Sequence, residues 1–129
     1  MKNLILSSVF IFICSLLFIN CNNSNSIEGK SNQWLKGKTI SAKVTYEKYG
    51  FVVLLHNETV KDFNLENVHF TFIDKSNNKK SIHPFASSGA WLQPDKYFEF
   101  PRYGNGQETL VNVSILQNDK TIETFSVTF

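Results

Sequence analysis

Cysteine is nearly absent from the chain, whose 129 residues include only 2, Cys14 and Cys21. Cys14 lies inside an apolar run near the amino terminus, and Cys21 follows that run directly. If the run is removed during export, the mature chain keeps a single cysteine, which cannot form a disulfide within the domain. A disulfide-stabilised scaffold is therefore excluded, and Cys21 must have another role.

Glycine, proline and unbalanced charge are also scarce. The chain has 6 glycines and 3 prolines, so disorder is not expected beyond a short tether. Its 13 basic and 11 acidic side chains leave a net charge of +2, without a basic stripe or an acidic tail. This balance argues against nucleic acid as a partner.

Apolar residues are abundant, and the first apolar run has the features of a leader. Met1-Lys2-Asn3 forms a short basic start, and an almost unbroken apolar stretch follows from Leu4 to Ile19. As a helix, this stretch of about 16 residues would span about 24 Å, whereas the hydrocarbon core of a bilayer is about 30 Å thick. The stretch is short for a stable membrane span and has the length of a signal-peptide core.

The end of the leader, Leu17-Phe18-Ile19-Asn20-Cys21, resembles the lipobox of bacterial lipoprotein signal peptides. The resemblance implies a thioether between the Cys21 sulfur and diacylglycerol, followed by cleavage of the peptide bond before Cys21. The residue before the cysteine is usually Gly, Ala or Ser in that family. Asn20 is similar to the looser boxes of spirochaetes and some other bacteria. An ordinary signal peptide cut elsewhere and an uncleaved anchor remain alternatives.

The leader divides the chain into three expected parts. Residues 1–20 are a removed signal peptide, residues 21–35 are the lipidated Cys21 with a flexible tether, and residues 36–129 are the folded domain. Asn22 to Gln33 is rich in Ser, Asn and Gly, as flexible linkers are. A lipid on Cys21 implies attachment to a membrane of the bacterial cell envelope. Asn22 stands where enteric bacteria use Asp for inner-membrane retention. The outer membrane or the cell surface is the expected location, in preference to the inner membrane.

The domain is predicted to be all-β, because apolar and polar residues alternate in several short segments. Phe51–Leu55 is a continuous apolar run of strand length that indicates a central strand. The last two strands form the best-supported hairpin, with the turn at Gln117-Asn118-Asp119-Lys120. The side chains expected to face the core are Ile40, Ala42, Val44, Tyr46, Phe63, Leu65, Val68, Phe70, Phe72, Phe98, Phe100, Thr109, Val111, Val113, Ile115, Phe125, Val127 and Phe129.

About seven short strands at near-regular spacing predict an antiparallel β-sandwich of the immunoglobulin-like class. The Cys–Trp–Cys pattern of true immunoglobulin domains is absent. Three segments also resemble bacterial envelope modules of the FxLYD type: Phe51–Asn57, Val68–Lys75 and Leu92-Gln93-Pro94. That resemblance implies a module of the cell envelope without catalytic activity.

Motifs for catalysis and metal binding are missing. His56, His69 and His83 are not spaced as metal ligands, so neither a metal nor another cofactor is expected. Ser87-Ser88-Gly89 lacks the Gly-x-Ser-x-Gly elbow of a nucleophilic serine. Paired carboxylates on one strand face, which glycoside hydrolysis requires, are also lacking. We therefore do not expect the chain to be an enzyme.

The sharpest remaining cluster is aromatic. Trp91, Tyr97 and Tyr103 lie close in sequence, with Arg102 and Asn105 beside them. Tyr and Trp combine an apolar body with a polar tip, which suits a binding surface. The alternative is that Trp91 belongs to the core and the tyrosines cap the end of a sheet. The expected function is a non-catalytic interaction module that binds an envelope protein or glycan. The alternative is a structural or accessory subunit of an envelope assembly that meets its partner through an edge strand.

Overall fold

The computed structural model describes residues 24–85 and 89–129. Cys21, Ser87 and Ser88 lie outside the described residues. The described part contains eleven strands and one single-turn 3₁₀ helix, so the expected all-β class is confirmed. The strands are β1 Asn25–Lys30, β2 Trp34–Lys36, β3 Ile40–Glu47, β4 Gly50–Asn57, β5 Phe63–Asn64, β6 Val68–Asp74, β7 Lys79–Ile82, β8 Trp91–Leu92, β9 Tyr97–Glu99, β10 Glu108–Gln117 and β11 Lys120–Thr128, and the helix is Leu65–Asn67.

The strands form three sheets. A five-stranded sheet has the order β1-β11-β10-β6-β7, a four-stranded sheet has the order β2-β3-β4-β9, and β5 pairs with β8. Neighbouring strands are antiparallel except β1 and β11, which are parallel. The number of strands exceeds the predicted seven. One reason is that β2, β5 and β8 have only two or three residues each and show no readable alternation.

Side chains from the two larger sheets meet in one hydrophobic core. Phe51 on β4 contacts Phe70 and Phe72 on β6, with ring centroids 6.4 and 5.1 Å apart. Most side chains predicted to face inward are buried. The clearest exceptions are Tyr46 and Phe129, which are more than a third exposed. Their rings contact each other, with centroids 4.7 Å apart and planes tilted by 31°.

The predicted hairpin between the last two strands is confirmed. Strands β10 and β11 pair in antiparallel register on either side of a two-residue turn, Asn118-Asp119. Both turn residues have positive φ angles, 51° and 62°. Positive φ at both positions is the type I′ geometry that matches the twist of the flanking strands.

The prediction of a flexible tether over 21–35 is wrong from Asn25 onward. Residues Asn25–Lys30 form β1 in parallel register with β11, where Ile27 lies opposite Phe125. An edge strand is held largely by backbone hydrogen bonds, so one half-buried apolar side chain is sufficient in this polar sequence. Gly29 allows the close approach of β2, because a Cβ there would lie 2.2 Å from Leu35 Cδ2. The folded domain therefore begins at Asn25, and little chain is left for a tether.

Asn57, the last residue of β4, is fully buried, and both its Nδ2 and its Oδ1 form hydrogen bonds. Its Nδ2 donates to the carbonyl oxygens of Lys61 and Leu92, each at 2.8 Å. Its Oδ1 accepts from the backbone N–H and the hydroxyl of Thr59, at 3.0 and 2.7 Å. This network attaches the loop 58–62 and the segment before β9 to the end of β4.

Replacing Asn57 with alanine is expected to lower the free energy of unfolding by at least about 3 kcal/mol, because two carbonyl groups lose their donor. Asn112→Ala is the matched control. Its side chain is half-buried and accepts a hydrogen bond from Ser126 Oγ at 2.6 Å, so we expect a loss of about 1 kcal/mol. Urea unfolding followed by circular dichroism measures both variants, and equal losses would contradict the role assigned to Asn57.

Candidate functional site

The five predicted binding residues do not form one surface. Tyr97 pairs with His56 near one end of β4, and Tyr103 bridges to Phe51 near the other end. At ~3.3 Å per residue, these two positions are about 17 Å apart. Closeness in sequence was therefore a wrong guide to a shared site, because the chain runs along the sheet between these residues.

Three of the five residues, Tyr103, Arg102 and Asn105, make contacts within the domain. Tyr103 is half-buried and exchanges two backbone hydrogen bonds with β4, at 2.8 and 3.0 Å. Arg102 forms an exposed ion pair with Glu47 at 3.5 Å. The backbone N–H of Asn105 donates to Oε1 of the buried Glu108 at 2.6 Å. These contacts close one end of the two larger sheets and do not bring the three side chains together with Trp91.

Trp91 lies on the surface, so the alternative that placed it in the core is wrong. It is 58% exposed and sits on β8, opposite Asn64 of β5. Its ring borders a cleft that Ile115 and Ile122 also line. Trp91 thus lies on the β5–β8 pair, and not on the four-stranded sheet that carries Tyr97.

Another group of rings lies on the outer face of the four-stranded sheet. Strand pairing brings together Trp34 of β2, His56 of β4 and Tyr97 of β9. The rings of His56 and Tyr97 are stacked, with centroids 4.2 Å apart and planes 8° apart. The Trp34 ring meets them edge-to-face, at centroid distances of 6.4 Å to His56 and 5.9 Å to Tyr97. We call these three side chains the aromatic face.

The aromatic face has the shape of an open corner. The ring planes of Trp34 and Tyr97 make an angle of 63°. Tyr97 is 59% exposed and Trp34 39% exposed, so both rings keep surface that a ligand could contact. The Nζ of Lys43 lies 5.2 Å from the centroid of the Trp34 ring. A cation therefore borders the apolar surface on this side.

Two carboxylates hold the central ring of the aromatic face. His56 Nε2 lies 2.9 Å from Asp95 Oδ1, and His56 Nδ1 lies 3.5 Å from Glu58 Oε1. The Asp95 side chain is 93% exposed, so its carboxylate keeps lone pairs for a ligand. The orientation that these contacts give His56 also fixes the plane on which Tyr97 stacks. The result is an apolar surface with hydrogen-bonding groups at its rim.

Ser41 lies beneath the aromatic face. It pairs with His56 and shares its outward side of the sheet, yet it is only 3% exposed because larger neighbouring side chains cover it. Its Oγ has no hydrogen-bond partner among the residues that the structure describes. A buried hydroxyl without a partner is costly. Ser41 is therefore a buried polar group behind the aromatic face, and it is not accessible to a ligand in this structure.

Sequence reasoning missed two of the three rings. His56 alternates with Val53 and Leu55, which face the core, and this period indicates an outward side chain. Trp34 offers no comparable signal, because β2 has only three residues. The pairing of β4 with both β3 and β9, which places Trp34 beside Tyr97, is a property of the whole sheet.

Two further histidines meet at the five-stranded sheet. The rings of His69 and His83 have centroids 3.8 Å apart, although their spacing in sequence did not suggest a pair. Burial lowers the pKa of His69 below its usual value, and the neighbouring His83 lowers it further. Within residues 24–85 and 89–129, no group of three or more His, Cys, Asp or Glu side chains could hold a metal ion.

The lowered pKa of His69 predicts that stability decreases on acidification. The unfolded chain takes up the proton at a higher pH than the folded chain does. The free energy of unfolding should therefore fall as the pH decreases through the ordinary histidine pKa of about 6.5. His83→Gln removes the neighbouring charge and should raise the His69 pKa toward its usual value. NMR titration of His69, with urea unfolding between about pH 7.5 and 5.5, tests this. An unchanged His69 pKa in the variant would contradict the assigned coupling.

In the part of the chain that the structure describes, no helix is long and apolar enough to cross a membrane. The predicted lipidation site, Cys21, lies outside that part. Comparisons with protein-family models, with curated proteins and with solved structures found no match for this chain.

Proposed function

We propose that this protein is a lipid-anchored, non-catalytic module of the bacterial cell envelope that binds a glycan on its aromatic face. The observation that carries the proposal is the corner formed by Trp34, His56 and Tyr97, in which the rings of Trp34 and Tyr97 are exposed and charged groups border them. Cys21 is the site of the lipid, and a membrane of the envelope, at the outer membrane or the cell surface, is the location.

The chemistry of the aromatic face supports a sugar ligand. A pyranose ring has an apolar C–H face and a rim of hydroxyl groups. The exposed ring of Tyr97 offers a surface for the apolar face, and Trp34 stands beside it as a wall. Asp95 can accept hydrogen bonds from sugar hydroxyls at the rim, and Lys43 can donate hydrogen bonds to them. Aromatic surface with a few placed polar groups is the usual composition of a small-ligand site.

The fold that we propose is immunoglobulin-like. When β1, β2 and the β5–β8 pair are set aside, seven strands remain, in the orders β3-β4-β9 and β11-β10-β6-β7. Three antiparallel strands facing four is compatible with this class of sandwich. The hydrogen bond from Asn57 Nδ2 to the Leu92 carbonyl oxygen joins two of the segments that resemble FxLYD-type modules.

Binding of the purified, processed protein to peptidoglycan sacculi and to soluble envelope polysaccharides tests the glycan assignment. Tyr97→Ala and Trp34→Ala should each weaken binding by about ten-fold or more, equivalent to ~1.4 kcal/mol. Tyr49→Ala is the matched control, since Tyr49 is 61% exposed but lies at the turn between β3 and β4, away from the aromatic face. Equal affinities for all three variants would show that the aromatic face is not the site. Failure of every glycan to bind would exclude the ligand class.

Metabolic labelling with palmitate tests the anchor. Cys21→Ser should abolish incorporation of label and move the protein from the detergent phase to the aqueous phase, because the sulfur that carries the lipid is lost. Cys14→Ser is the control with the same chemical change, and it should label normally because the leader that contains Cys14 is removed. Label retained in the Cys21→Ser variant would contradict the assignment.

A further inference from the structure

The end of the domain at which β1 begins carries two adjoining clefts. One is lined by Asn25, Lys38, Thr39, Gln117, Ile122 and Glu123. The other shares Thr39, Gln117 and Ile122 with it and extends to Trp91. Trp91 therefore lies at the same end of the domain as Asn25. We call this surface the Asn25 end.

Two exposed apolar side chains project near the Asn25 end. Val60, in the loop that leads to β5, is 91% exposed, and Trp91, on the strand that pairs with β5, is 58% exposed. Both are held by Asn57, whose Nδ2 bonds to the carbonyls of Lys61 and Leu92, the residues that follow them. The domain thus presents a tryptophan and a valine to solvent on a backbone that is fixed to β4.

The geometry points to the lipid bilayer as the surface on which the Asn25 end docks, with Trp91 and Val60 in the interfacial region. This inference rests on the lipid anchor of the proposed function. Only Asn22, Asn23 and Ser24 separate Cys21 from Asn25, so a lipid on Cys21 holds Asn25 within about 14 Å of the lipidated residue. A domain attached so closely must turn this end toward the membrane. Tryptophan is the residue that favours the headgroup level of a bilayer.

The charged side chains at the Asn25 end indicate which lipids are sufficient for docking. The charged side chains near Val60 and Trp91 carry both signs, three acidic and two basic, so attraction to anionic lipid is not expected to dominate. Docking should therefore occur on zwitterionic phosphatidylcholine and persist at high salt. Five charged residues lie near Val60 and Trp91, either close in the sequence or at the end of β4: Glu58, Lys61, Asp62, Asp95 and Lys96.

The proposed orientation of the domain on the membrane also determines how the aromatic face is directed. The clefts of the Asn25 end lie at the ends of the strands, whereas Trp34, His56 and Tyr97 lie on the outer side of a sheet. A domain that stands on its strand ends leaves this side directed laterally. The two surfaces adjoin, because His56 and Tyr97 lie at the ends of β4 and β9 nearest to Asn57. Glu58 and Asp95 border both surfaces. A glycan on the outer side of the sheet would therefore lie close to the bilayer.

Tryptophan fluorescence of the full, processed protein in phosphatidylcholine vesicles tests the docking. The chain has 2 tryptophans, so Trp34→Phe leaves Trp91 as the sole emitter and Trp91→Phe leaves Trp34. Brominated phosphatidylcholine should quench Trp91 at least about three-fold more strongly than Trp34, with a blue shift of the Trp91 emission. Val60→Ser, introduced together with Trp34→Phe, should reduce the quenching of Trp91, because it removes apolar surface from the Asn25 end. Val60 is 91% exposed, so we expect its replacement to leave the fold intact.

The outcomes separate docking from anchoring. Vesicle flotation of the wild-type protein, compared with Cys21→Ser, reports the anchor. Flotation with equal, weak quenching of both tryptophans would overturn the docking and leave the anchor intact. Failure of the wild-type protein to float would overturn the anchor, and the docking with it. Quenching that appears only with anionic lipid would overturn the assignment to a zwitterionic interface.

Discussion

One buried amide holds in place the features on which the functional proposals depend. The side chain of Asn57 bonds to the backbone beside two exposed apolar residues, Val60 and Trp91. Its own backbone pairs with the segment that brings Tyr97 onto His56. A buried polar group of this kind is stable only when its partners are all present. The site on the sheet and the surface at its end therefore share one structural support.

The core explains why the outer faces are available for binding. Phe51, Val53 and Leu55 on β4 are fully buried and fill the space between the two larger sheets. The alternate positions of the same strand must face outward, because successive side chains of a strand point to opposite faces. Polar residues suffice on such a face for folding. The concentration of rings around His56 is thus not required by the core, and the proposed glycan site would account for it.

Local patterns were predictable from the sequence, and long-range pairing was not. The hairpin of β10 and β11 could be recognised because its alternation and its turn, Asn118-Asp119, lie in one short segment. Strand β1 was missed because its stability comes from a partner near the other end of the chain, and Ile27 is its single large apolar residue. The aromatic face was missed for the same reason: Trp34 and Tyr97 become neighbours only through strands that neither sequence segment reveals.

The parallel pairing of β1 with β11 also determines how the domain bears force. A pull transmitted from the proposed lipid on Cys21 would reach the domain through β1, which is the first strand that the structure describes. If the pull is along the strand, the hydrogen bonds between β1 and β11 would be loaded in shear. They run from the pair Asn25–Glu123 at one end to the pair Lys30–Thr128 at the other. In that geometry the hydrogen bonds share the load, whereas bonds pulled open from one end fail one after another. In the proposed arrangement, tension between a lipid on Cys21 and a glycan on the aromatic face would thus be resisted by the full length of the β1–β11 pairing.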